Sequence, residues 1–179
     1  MRNSWVLVAY PVITMFEQEQ ATCRGQAERG GILIGSYRGP HMEITDFTKP
    51  GRKDIREAYR FTKQDPRHQR AATRAWVTSG GKDTYVGEWH THPRGGPEPS
   101  TIDTASWRDL AAITKRMMIF VIIAPDGWVL FRTQKRFFWT PSQQLAKVEQ
   151  GQSGVVFRAA LRRSDFATYR TPCGEAMGR

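Results

Sequence analysis

The stretch MIFVIIA (118–124), Pro125-Asp126-Gly127 and WVLFRT (128–133) constrains this chain more than any other. Two apolar runs separated by a Pro-Asp-Gly turn predict a β-hairpin. MMIFVIIAP, the longest apolar run, is much too short to span a bilayer. A second hairpin is predicted upstream, where the strand GGILIGSY (30–37) meets the alternating strand HMEITDFT (41–48) across Arg38-Gly39-Pro40. WVLVAY (5–10) reads as a strand. Pro11 then opens an amphipathic helix over 11–23, with Val12, Met15 and Phe16 at i, i+3 and i+4.

Further elements follow the same rules. A short strand is expected near 57–62, then a helix capped by Asp65 with Pro66 first, ending at Ser79 before Gly80-Gly81. TYVGEWHTH (84–92) reads as a strand, PRGGPEP as an irregular loop, and Ser100 opens a helix to Lys115. Thr140-Pro141 begins a helix to Glu149, and VVFRAAL (155–161) reads as a late strand. This order predicts an α/β (α+β) fold, a mixed sheet with helices packed on it.

The chain has 179 residues, 39% hydrophobic and 11% aromatic, which suits one folded domain. The net charge is +10, and about half of the excess lies in 49–70, with eight Lys/Arg against three Asp/Glu. Such a run is either a solvated surface or a docking patch. Only Tyr59 and Phe61 interleave its charges, so a nucleic-acid interface is not the expectation, and an acidic protein partner is favoured. Cys23 and Cys173 lack metal-ligand spacing, and no secretory signal is apparent, which points to a reducing cytoplasm without membrane contact. His41 and His68 read as surface or turn residues. Trp89, Trp107, Phe131, Phe137, Phe138 and Trp139 read as core.

Residues 87–103, GEWHTHPRGGPEPSTID, carry the chemistry. His90 and His92, at i and i+2 of a strand, present both imidazoles to one face, with Trp89 and Thr91 turned away. Asp103 falls in the first turn of the following helix. Two His and one Asp, with a fourth position open, suit a catalytic zinc. Ser100-x-x-Asp103 is also close to a capping box, in which both side chains satisfy free helix N–H groups. Glu88 shares the strand face of the histidines and is a candidate ligand or base on sequence alone.

His-Thr-His-Pro, ten residues from the second histidine to Asp103, and a serine three before that aspartate together resemble the JAMM (MPN+) zinc isopeptidases. The resemblance covers roughly residues 5–135. It implies a curved mixed sheet flanked by helices, of the cytidine-deaminase-like JAMM/MPN architecture. It also implies one catalytic zinc on His90, His92 and Asp103. AERGGILIG (27–35) is similar to the family's glutamate-bearing segment, which makes Glu28 the general base and then acid. Ser100 becomes the donor to the oxyanion, and Glu88 a second-layer or substrate-lining residue. The domain is expected over 1–140, a helix/strand extension over 141–162 and a loose tail over 163–179.

TDFTKPGRKDIR, QDPRHQRAATRAW and SGGKDTYVGEWHTHP look like the stand-alone members found in bacterial CBASS anti-phage operons. That resemblance implies a protein substrate joined through its C-terminus, either a CD-NTase or a ubiquitin-like modifier. It also implies a functional link to an E1–E2-like ligase. The alternatives are a peptidase for a sulfur-carrier protein or for cell-wall or phage-tail peptides, and a non-catalytic MPN-type scaffold. Non-catalytic relatives lose His or Asp ligands, whereas all three are present here.

Overall fold

The structure is a computed structural model and describes residues 4–134 and 142–159. Its elements are β1 (Trp5–Ala9), α1 (Tyr10–Cys23), β2 (Gly30–Arg38), β3 (His41–Phe47), β4 (Ile55–Glu57), β5 (Arg60–Thr62), α2 (Arg67–Thr78), β6 (Asp83–Thr91), α3 (Thr101–Thr114), β7 (Met118–Ala124), β8 (Gly127–Thr133), β9 (Ser142–Gln150) and β10 (Gly154–Ala159).

β7 is buried on both faces, which explains its unbroken apolar sequence. Ile119, Val121 and Ile123 join one core cluster with Val12, Met15 and Phe16 of α1, while Met118, Phe120 and Ile122 join a second with Trp107 and Ala111 of α3. Alternation of side chains across the strand lets one segment serve both layers. Trp107 stacks on Phe120 with ring centroids 4.8 Å apart. Trp89, Trp107 and Phe131 are buried, as expected of core residues.

Eight strands form a closed barrel in the order β1-β10-β9-β8-β7-β6-β2-β3, with β3 returning to β1. The β6–β7 and β3–β1 pairs are parallel and the remainder antiparallel. α1 packs against β1, β3, β6, β7, β8 and β10, so the sheet wraps around it. α3 lies on β7, β8 and β9, and α2 on β6 and β2.

The mixed α+β class is observed, but the expected curved sheet is instead a closed barrel. Closure rests on β10, which pairs with β1 from Trp5↔Arg158 to Ala9↔Gly154. The helix expected over 140–149 is also corrected, because Ser142–Gln150 is strand β9. SQQLAKVEQ has helix-favouring residues, but ladders to β8 and β10 override that local preference.

The strand expected near 57–62 is a small hairpin, β4–β5. The expected cap is shifted by one residue: Pro66 is the N-cap of α2 and the helix starts at Arg67, while Asp65 accepts a hydrogen bond from the Arg67 amide at 2.9 Å. His68 is not a surface residue but is buried, with Nε2 2.9 Å from Asp54 Oδ2 and Nδ1 2.5 Å from Thr48 Oγ1. Cys23 is a free, buried thiol. Phe137, Phe138, Trp139, Cys173 and the tail at 163–179 lie outside the described residues. Among the described residues, no helix is long and apolar enough to cross a membrane.

Candidate active site

Residues at the end of β6 and the start of α3 converge at one edge of the barrel. β6 continues through His90 and Thr91, and the His92 amide donates to Ile123 O of β7 at 2.8 Å. The chain then turns through Pro93–Pro99 and enters α3 with Ser100 as its N-cap. Asp103 N–H donates to Ser100 Oγ at 3.1 Å, and Asp103 Oδ2 accepts from the Ser100 amide at 2.8 Å, a complete capping box. The cap therefore fixes the carboxylate that faces the histidines.

His90 Nε2 lies 2.9 Å from His92 Nε2 and 3.2 Å from Asp103 Oδ1. His92 Nε2 lies 3.5 Å from Asp103 Oδ2, and a potential ligand atom from each of the three residues falls within 4.8 Å of the others. His92 Nδ1 is 3.2 Å from Gly96 O, so its proton belongs there and Nε2 keeps its lone pair free. Two imidazole nitrogens and a carboxylate with converging lone pairs repel one another unless a cation or proton lies between them. This donor set fits a divalent metal, and its imidazole–carboxylate composition fits zinc.

Burial works against the charge of Asp103, but hydrogen bonds from His90 and His92, the charge of His90 and the Ser100 hydroxyl hold its carboxyl far below the usual range. For His92, burial opposes protonation, yet the hydrogen bond and charge of Asp103 prevail and raise its pKa.

Glu28 is buried just before β2. Burial pushes its carboxyl up, against the fields of His90 and His92 and with that of Asp103, so Glu28 lies within electrostatic reach of the cluster. Its backbone is held from three sides. Its own amide donates to Glu57 O of β4 at 2.8 Å. The neighbouring Arg29 exchanges two hydrogen bonds with Thr91, at 2.8 and 2.9 Å, and pairs with Glu19 of α1 at 3.0 Å. Gly30 lies opposite His90, and a Cβ there would stand 2.6 Å from both Phe61 Cδ1 and Trp89 O, so only glycine admits this approach.

Glu88, two residues before His90 on β6, is engaged by other partners. Its Oε1 accepts from Tyr85 Oη at 2.7 Å and from Lys63 Nζ, and it lines a cavity of about 600 Å³ under α2. Tyr85 and Glu88 reach one another across an odd spacing because the β2–β6 register shifts between Leu33 and Ile34. Burial lowers the Lys63 pKa to about 8 against the opposing field of Asp54.

Sequence reasoning missed Arg94. Its guanidinium donates to Gln26 O at 2.7 Å, Gly25 O at 2.9 Å and Ala58 O at 3.3 Å, tying the loop after His92 to the Glu28 segment and the β4–β5 turn. Its place two residues after His92 was the available signal. Lys63 and Tyr85 gave none, because only the folded chain brings them to Glu88.

The profile of prokaryotic homologs of the JAB domain matches residues 17–141, and the chain belongs to this family. It is the family that the His-Thr-His-Pro motif pointed to. Among individual relatives, the chain is similar to a "CD-NTase/cGAS isopeptidase" of Vibrio cholerae, with 37% identity over 57% of this chain and 65% of that protein. A protein with the same name in Escherichia coli is 33% identical over 71% of this chain and 81% of its own. A "probable metalloprotease" of Sinorhizobium fredii is 30% identical over 57% of this chain and 66% of that protein. The match spans just under two thirds of the Vibrio relative's length. A solution structure of a Desulfitobacterium hafniense protein shares the fold with TM-score 0.52 and 20% identity, over 77% of this chain and 89% of that one. Family and site together support a hydrolase with a place for a metal ion.

Proposed function

We propose that this protein is a zinc-dependent isopeptidase. Its reaction hydrolyses the amide joining the C-terminus of a conjugated protein, a CD-NTase or ubiquitin-like modifier, to its target. It reverses an E1–E2-like conjugation in bacterial anti-phage defence. The observation that carries this reading is the convergence of His90, His92 and Asp103 within 4.8 Å, with the buried Glu28 in electrostatic reach, in a chain of the JAB family.

His90 Nε2, His92 Nε2 and an Asp103 oxygen would hold the ion. A zinc ion held there would supply Lewis acidity and would lower the pKa of water in the site to about 7. Glu28 accepts a proton from the attacking water and delivers it to the departing amine, so one carboxyl serves as base and then acid. Its partial desolvation suits it to hold that proton between the two steps. Ser100 stabilises the oxyanion of the tetrahedral intermediate. In the resting arrangement the Ser100 hydroxyl points to Asp103 Oδ2 at 2.6 Å, so it must rotate to donate elsewhere. Glu88, held by Lys63 and Tyr85, lines the approach to the site. The alternatives, a sulfur-carrier or cell-wall peptidase and a non-catalytic scaffold, have no residue of their own in the site to favour them.

The test is cleavage of a CD-NTase joined through its C-terminus to a lysine-bearing partner, with zinc content measured on the same protein. Wild type should bind one zinc and cleave, and chelation or His90→Ala should abolish both properties. Full cleavage by the zinc-free protein would overturn the reading.

A further inference from the structure

α2 leaves its two largest apolar side chains, Trp76 and Val77, largely exposed. Of its twelve residues only His68 is buried, while Trp76 and Val77 remain 49% and 70% exposed. An ordinary amphipathic helix turns such residues to the core. Here Trp76 instead forms the rim of the cavity that reaches Lys63, Tyr85 and Glu88. Glu88 is two residues before His90 on β6, so the cavity ends about 7 Å along the strand from the first histidine.

The exposed charge of α2, the β4–β5 hairpin and the loop at 49–54 is mainly positive. Lys49, Arg52, Lys53, Arg56, Arg60, Arg67, Arg70 and Arg74 are all exposed, and none forms an ion pair among the described residues. Of the acidic residues between them, Asp54 is turned inward, and Asp65 is engaged by backbone amides at the surface. Asp54 is occupied by His68 and by the amides of Gly51, Gln64 and Asp65, and Asp65 by the amides of Lys53 and Arg67. Glu57 is the exposed exception. Tyr59 and Ile55 add exposed apolar surface on the β4–β5 hairpin, which also touches Glu28. Exposed arginine, tryptophan and tyrosine on these neighbouring segments of the chain match the composition of an interface hot spot.

We propose that α2, the β4–β5 hairpin and the loop at 49–54 form the docking face for an acidic surface of the conjugated protein. This rests on the isopeptidase reading and names the part of the enzyme that recognises the folded substrate. Charge complementarity selects the occupant. A second copy of this chain would present the same positive face. Residues 160–179 carry four arginines and two carboxylates, so they do not complement it either. Exposed aliphatic residues beside the arginines favour a protein surface over a phosphate backbone. Positive charge near the site also steers an acidic partner towards it, an effect that salt weakens.

The experiment compares wild type with Arg70→Glu/Arg74→Glu and with Trp76→Ala. Turnover is measured on the CD-NTase conjugate and on a short isopeptide-linked peptide, and binding is measured with unconjugated CD-NTase. Both variants should raise KM for the conjugate roughly tenfold or more, with kcat within about twofold. Peptide turnover should be unchanged, which shows that fold and site are intact, and CD-NTase binding should weaken in parallel with KM. Equal losses on both substrates, or no loss on either, would overturn the proposal. So would a duplex DNA of about 30 base pairs binding this face in place of the protein, or self-association of wild type that the variants abolish. If wild type cleaves neither substrate, the isopeptidase reading fails, while the binding arm still decides the docking face.

Discussion

Asp103 has two tasks at once: one oxygen faces His90, and the other closes the helix cap with Ser100. The cap supplies rigidity at the point where a metal site needs it, since the ligand's rotamer is locked by backbone bonds. Glu28 and Glu88 divide along similar lines. The first lies in the field of the three candidate ligands, whereas the second is spent on Lys63 and Tyr85. Glu28→Gln should therefore lower kcat by about 10²–10⁴ with zinc content unchanged, whereas Glu88→Gln should retain most turnover. Steady-state kinetics beside metal analysis checks both, and the reverse order would exchange their roles. Arg94→Ala removes three carbonyl contacts that steady the Glu28 segment. The expected result is a fall in kcat of about tenfold or more at constant zinc occupancy.

At the scale of elements, the loop at 49–54, α2 and the residue that follows β3 are pinned together by the buried Asp54–His68–Thr48 chain. Burial would raise the Asp54 pKa, but hydrogen bonds from His68 and from the amides of Asp65, Gly51 and Gln64 outweigh it and bring it from 3.8 down to about 2. A folded pKa below the unfolded one means stability that is fully present above about pH 4 and lost as the pH falls towards 2. The shift corresponds to an effect on the order of 2 kcal/mol. Urea unfolding should show Asp54→Asn destabilised by about that amount at neutral pH, with the gap to wild type closing between pH 4 and 2. A gap that did not change with pH would contradict this account. His68 was read as a surface residue because nothing near it in sequence announces its burial. Its partners lie 14 and 20 residues away.

For the whole molecule, barrel closure depends on the last described strand. Phe157 is 3% exposed and packs in the α1-centred core with its ring 5.8 Å from that of Trp128. Phe157→Ala should cost about 3–5 kcal/mol in chemical denaturation. A loss below about 1 kcal/mol would mean that β10 contributes little to the closed sheet.

What the sequence determined by itself was short-range. Turn chemistry marked the β7–β8 and β2–β3 hairpins. A two-residue spacing put His90 and His92 on one strand face. Ser100 and Asp103 announced their own cap. Each of these follows from the geometry of a few consecutive residues. Tertiary structure decided the rest. SQQLAKVEQ became a strand because β8 and β10 offered ladder partners, and the sheet closed because β10 met β1, which lies almost the whole chain away. The placement of the Glu28 segment beside the end of β6 likewise depended on the β2–β6 pairing and on bonds to Thr91 and Glu57. Contacts between distant residues leave no periodicity along the chain, and only the folded backbone brings them within hydrogen-bonding range.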